Sequence, residues 1–82
     1  MSSGWGIQVG AFSTPLLARQ ATDRAVQLSP LLKGSHVALD EGTKVHRARL
    51  DNLSENQARK ACETLISNNS PCFVYKAGTQ NL

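Results

Sequence analysis

Gly4-Trp5-Gly6-Ile7-Gln8-Val9-Gly10-Ala11-Phe12-Ser13-Thr14-Pro15 is the stretch on which the reading of the fold turns. Apolar Trp5, Ile7 and Val9 alternate with small or polar neighbours, the period of a half-buried strand that stops at Gly10. Thr14 followed by Pro15 is the chemistry of a helix start, an N-cap oxygen ahead of a residue that lacks the N–H the first turn cannot use. The chain thus opens with a strand that turns tightly into a helix. Gln8, the polar position inside the strand, points away from the core.

Outward from that stretch, Pro15 to about Leu28 reads as a helix, with Leu17, Ala21, Ala25 and Leu28 at helical spacing and Pro30 just past its end. A short alternating run with Val37 and Leu39 apolar breaks at Asp40-Glu41-Gly42, a turn signal. A third strand covers about Val45 to Leu50, placing Arg47 and Arg49 on one face and His46, Ala48 and Leu50 on the other. Ser54 and Gln57 form a capping box, with Leu53 and Ala58 as its hydrophobic staple. Ala58, Ala61, Cys62, Leu65 and Ile66 then trace one buried helical stripe. Asn68 and Asn69 suit the helix exit, and Cys72 to Lys76 reads as the last strand.

The order is strand, helix, strand, strand, helix, strand, with Ser13 and Ser54 starting two similar halves. Two small-faced helices can cover one side of a four-stranded sheet. The expectation is an α+β fold, βαββαβ in RNP-like or ferredoxin-like form, with an antiparallel sheet and both helices on one face. The domain spans 5–77, residues 1–4 being a linker remnant and 78–82 a flexible tail.

Parity then fixes what the uncovered face carries. If Ile7, Val9, Val37, Leu39, Ala48, Leu50, Cys72 and Val74 face the helices, Gln8, Arg47, Arg49, Phe73 and Tyr75 face outward. Gly6 and Gly10 would let a partner approach the backbone there. An amide, two guanidiniums and two rings make a platform for a flat, polar, extended ligand. The competing reading is an ordinary solvated sheet face, on which such residues merely cover the strands.

Composition excludes several classes. The 82 residues are 40% hydrophobic, 18% charged and carry a net +3, enough for one small soluble core. No apolar run approaches the roughly 18 residues of a membrane span, and the N-terminus has no signal-peptide pattern. No Lys/Arg cluster resembles a nucleic-acid arm. Cys62 and Cys72 lack metal-site spacing and neighbouring histidines, so no metal or cofactor is expected. No Ser, Cys or Lys is set beside a histidine, Ser13 and Ser54 being caps, and Asp40-Glu41 reads as turn rather than paired catalytic carboxylates. No catalytic residue is expected.

The strand-turn W-G-I-Q-V-G-A-F-S, then H-R-A-R-L-D-N-L-S-E-N-Q-A-R-K-A and C-F-V-Y-K, resembles the SPOR domain, a bacterial sporulation-related repeat that binds peptidoglycan. The resemblance covers about residues 4 to 76. It implies a non-catalytic domain that binds glycan strands stripped of stem peptides at the septum, acting as a monomer in the periplasm or cell envelope and targeting an attached enzyme or division protein. The spelling is similar to C-terminal SPOR domains of proteobacterial D-alanyl-D-alanine carboxypeptidases. The family's strand-one Gln matches Gln8 and the residue after the strand matches Ala11. Its strand-three basic residue matches Arg47, and its exposed apolar position on strand four matches Phe73. Two departures stand out: Asp51-Asn52-Leu53 replaces the usual Gly-Pro-Phe, and Val45 stands where an aromatic is common.

Two other functions share this topology. RNA-recognition modules stack bases on exposed aromatics, but strand three here, V-H-R-A-R-L, lacks their aromatic motif. Nucleic acid is therefore not the expected partner. A protein-interaction module using Phe73 and Tyr75 is the remaining alternative. Cys62 and Cys72 both face inward across a short connection, so they are either a disulfide or two buried free thiols. In an exported compartment the reading favours the disulfide.

Overall fold

A computed structural model describes residues 4–41 and 44–76, with Asp40 and Glu41 in backbone only. The sequence readings for the N-terminal linker before Gly4, for the carboxylates of the 40–42 turn and for the 78–82 tail fall outside what is described. The elements are β1 (Trp5–Phe12), α1 (Pro15–Leu28), a 3₁₀ turn (Pro30–Leu32), β2 (His36–Glu41), β3 (His46–Leu53), α2 (Glu55–Ser67) and β4 (Phe73–Lys76). They form one antiparallel sheet in the order β2-β3-β1-β4. Helix α1 packs on β1 and β3, and α2 on β1 and β4. The expected βαββαβ fold is the fold observed.

Helix starts follow the sequence closely. The Thr14 hydroxyl accepts from the Leu17 N–H at 3.2 Å, with Pro15 as the first helical residue. At α2 the capping box is complete: Gln57 N–H donates to Ser54 Oγ at 3.1 Å and Ser54 N–H to Gln57 Oε1 at 2.9 Å. Leu53 and Ala58, the staple pair, are both buried.

The core joins Ile7, Val9, Ala48, Leu50 and Leu53 of the sheet to Ala18 and Ala25 of α1 and to Ala58, Ala61 and Leu65 of α2. Alanines on both helices let the axes sit close to the sheet, so large side chains come mainly from the strands. Each fully buried Ile or Leu contributes about 1.5–3 kcal/mol through removal of apolar surface from water. The inward stripe of α1 differs from the one its periodicity suggests. Ala18, Thr22 and Ala25 are buried, whereas Leu17 is 44% exposed. Small residues win the contact face, and Thr22 is tolerated because its hydroxyl donates to the Arg19 carbonyl at 2.8 Å.

Two strand boundaries also move, both at irregularities. Strand β1 does not stop at Gly10. It continues to Phe12 through a register shift between Gln8 and Ala11, with Gly10 at φ 140°. A Cβ there would lie 2.7 Å from the Phe12 ring. The extra residue turns Phe12 back to the helix side, where it packs on the core. Strand β3 likewise runs on to Leu53. Its pairing with β1 shifts between Trp5 and Ile7, opposite Asn52 at φ 67°. Asn tolerates this left-handed conformation better than most residues, and the kink delivers Leu53 to the core. Strict alternation would have put Asn52 there. Val37 departs from the reading in the other direction: on edge strand β2 it remains 36% exposed. Cys72 precedes β4 rather than opening it.

Cys62 of α2 and Cys72 are joined by a disulfide with Cα atoms 5.4 Å apart. This ties the four-residue edge strand β4 to the helix behind it.

Candidate functional site

The face opposite the helices is ordered by register. Ala38 pairs with Arg49, Arg49 with Gln8, and Gln8 with Phe73, so one row crosses all four strands. At about 4.8 Å between strands the row is about 14 Å long. Toward one end, Arg47 lies opposite Ala11. Toward the other, His36 pairs with Asp51, and Tyr75 with Gly6. The five residues expected outward from parity, Gln8, Arg47, Arg49, Phe73 and Tyr75, thus share this surface, and Ala11, expected at the site only from the family resemblance, joins them through the register shift in β1.

Contacts inside the row make it a fixed arrangement. Arg49 Nε donates to Gln8 Oε1 at 3.1 Å, linking residues 41 apart in sequence. The Arg49 guanidinium also lies over the Tyr75 ring, 5.4 Å from its centroid. Glycine is required beneath that ring: a Cβ on Gly6 would sit 2.6 Å from Tyr75 Oη and 3.0 Å from the Leu50 carbonyl oxygen. The sequence reading of Gly6 as an open approach point for a ligand is therefore corrected, because Tyr75 occupies it. At Gly10 the place of a Cβ is taken by the Phe12 ring, while the glycine itself still helps line a cleft beside Phe73.

Burial pushes the Tyr75 phenol above its ordinary range. The Asp51 carboxylate adds to that rise, and Arg49 opposes it. Asp51 also meets His36, Nδ1 to Oδ1, at 3.0 Å. The sequence reading assigned neither His36 nor Asp51 a place on this face, although the parity of Arg47 and Arg49 extends to Asp51 and would have placed it outward.

Phe73 is 56% exposed at the rim of the face. Beside it, Gln8, Gly10, Ile66, Ser70 and Pro71 help line a cleft of about 590 Å³. A second cleft of about 560 Å³ shares Ser70 and Pro71 with the first and includes Leu17, Ala21 and Arg24 of α1, but no residue of the row. On the helix side, Trp5 is half-buried and flanked by the cations of Arg59 and Lys76, 5.6 and 5.8 Å from its ring. Its role is structural. Among the described residues no group of three or more His, Cys, Asp and Glu could hold a metal ion. None of their helices is long and apolar enough to cross a membrane.

The family model for the SPOR domain matches residues 2–76. The chain belongs to the SPOR domain family. Among characterised proteins, this SPOR domain is similar to the cell division protein FtsN of Caulobacter vibrioides, with 38% identity over 74 residues. That match covers 83% of the chain but only 28% of the relative's length. No solved structure matches the chain. As a SPOR domain it is a peptidoglycan-binding module and not itself an enzyme.

Proposed function

We propose that this domain binds peptidoglycan glycan strands that have lost their stem peptides, and so carries an attached cell-wall enzyme or division protein to the septum. The relative's name, a cell division protein, supports that destination. The disulfide fits an oxidising compartment such as the periplasm.

The observation that carries the reading is the row across the uncovered face. Arg49, Gln8 and Phe73 stand side by side on three adjacent strands, with Arg47 and Tyr75 flanking them. A glycan is a chain of rings whose edges bear hydroxyls and acetamido groups and whose faces are weakly apolar. Gln8 can both donate to and accept from such groups, the arginines donate, and Phe73 packs against a sugar face. Each hydrogen bond nets only about 0.5–1.5 kcal/mol, so affinity accumulates from several contacts along one strand. Ala11, small and exposed beside Arg47, leaves room for the strand to pass.

The test is sedimentation with purified sacculi before and after an amidase removes the stem peptides. The domain should pellet much more strongly with the treated sacculi. Equal or weaker sedimentation after treatment would refute the preference for stem-free strands.

A further inference from the structure

We infer that Arg47 and Arg49 read the lactyl carboxylate that stem-peptide removal exposes, and that this charge, rather than relief of bulk alone, selects stem-free glycan. The inference rests on the glycan-binding reading above and adds the group that is recognised.

The chemistry of the ligand is decisive. In an intact strand the lactyl carboxyl of each muramic residue is locked in an amide to the first stem residue and carries no charge. Hydrolysis of that amide adds water across the C–N bond, leaving a carboxylate on the sugar and an amine on the departing peptide. A stem-free strand therefore bears one anion per disaccharide, on a chain otherwise made of neutral hydroxyls and acetamides.

The protein offers the matching charge in a defined place. Arg47 and Arg49 are two residues apart on β3 and both half-buried on the open face, about 7 Å apart along the strand. Asp51, the next residue of the same parity, meets His36 and borders Tyr75. Charge along β3 thus runs from two cations to one anion, with Asp40 of β2 the register partner of Arg47 and His36 that of Asp51. Arg49 is held by its bond to Gln8 and by the Tyr75 ring, so little rotamer freedom is lost when a carboxylate joins that network. The planar guanidinium fork matches a carboxylate in a way no sugar hydroxyl can. The row then divides its work: Gln8 and Phe73 recognise sugar, and the arginines recognise the acid.

The experiment compares three oligosaccharides of equal length by calorimetry with the whole chain: stem-free glycan, the same glycan with each lactyl carboxyl converted to a primary amide, and chitin oligomer lacking the lactyl group. The amide keeps size and shape and removes only charge. It should bind roughly ten- to a hundredfold more weakly than the acid, the range spanned by a charge-assisted hydrogen bond. Chitin oligomer should resemble the amide. Raising salt should weaken the acid and leave the amide unaffected. The Arg47→Gln, Arg49→Gln double variant should erase the difference between acid and amide. Equal affinity of acid and amide for the wild-type chain would overturn the carboxylate inference while leaving glycan binding intact. No binding of any of the three would overturn glycan binding itself. An acid preference that survives in the double variant would refute the assignment to these arginines.

Discussion

Opening the Cys62–Cys72 disulfide should destabilise the whole domain and loosen the strand that presents Phe73 and Tyr75. The two cysteines are 10 residues apart in sequence, and their Cα atoms lie 5.4 Å apart between α2 and the residue just before β4. Closing so short a loop removes chain entropy from the unfolded state worth about 3 kcal/mol. At 82 residues the domain's total stability is expected to be only about 4–12 kcal/mol, so the loss is a large fraction. Strand β4 is the most vulnerable element: it has four residues, lies at the sheet edge and pairs with β1 alone. Its side-chain anchors are then Val74, which packs on the core, Tyr75 against Arg49 and Lys76 against Trp5. Urea unfolding followed by circular dichroism, with and without reductant, measures the effect. With a slope of about 1 kcal/mol per molar urea for a chain this small, the midpoint should fall by about 2–3 M. The Cys62→Ala, Cys72→Ala variant should behave as the reduced protein does, and both should bind stem-free glycan more weakly. A midpoint unchanged by reductant, once labelling confirms that both thiols are open, would refute the reasoning.

Gly6→Ala should push the Tyr75 ring off its seat, since the new Cβ would lie 2.6 Å from the phenol oxygen. A cost of about 1–3 kcal/mol is expected, and glycan affinity should drop, as read by urea midpoint and calorimetry. The single tyrosine of the chain titrates above its ordinary value of 10.0, through burial first and Asp51 second. Its protonated form is favoured in the folded state, so that stabilisation is intact below pH 10 and fades as pH rises through the folded-state value. Ultraviolet titration of the phenol should show a midpoint that Asp51→Asn lowers and Arg49→Ala raises. Ser54→Ala removes the hydroxyl half of the capping box, the bond from the Gln57 N–H, and leaves the backbone N–H of residue 54 on Gln57 Oε1; it should cost about 1 kcal/mol in urea unfolding, with glycan binding unaltered.

Much of the fold was legible because its signals are local. Thr14-Pro15 and Ser54 with Gln57 are self-contained chemistries that tertiary packing did not override. The parity of Arg47 and Arg49 survived because the strand between them is regular. Where the reading failed, a single backbone irregularity was at work. Gly10 at positive φ inserts one residue into β1, and Asn52 at positive φ does the same opposite Trp5 and Ile7. Alternation cannot be carried through such points, so the ends of β1 and β3 were placed too early. The exposed edge of β2 at Val37 and the exchange of Leu17 for Ala18 on α1 depend on how far each helix reaches across the sheet, which no local window records. In the site, residue types and their common face could be read from the sequence. The bond that joins Gln8 to Arg49 could not, because it requires the register of two strands 41 residues apart.

The most direct test of the account is calorimetric titration of stem-free glycan into the wild-type chain and into a Gln8→Ala, Arg47→Ala, Phe73→Ala variant. If the open face holds the strand, the variant should bind about a hundredfold more weakly or worse, given the hydrogen bonds and apolar packing removed, with its circular dichroism unchanged. Wild-type affinity in a correctly folded variant would contradict the account and move the binding site off this face.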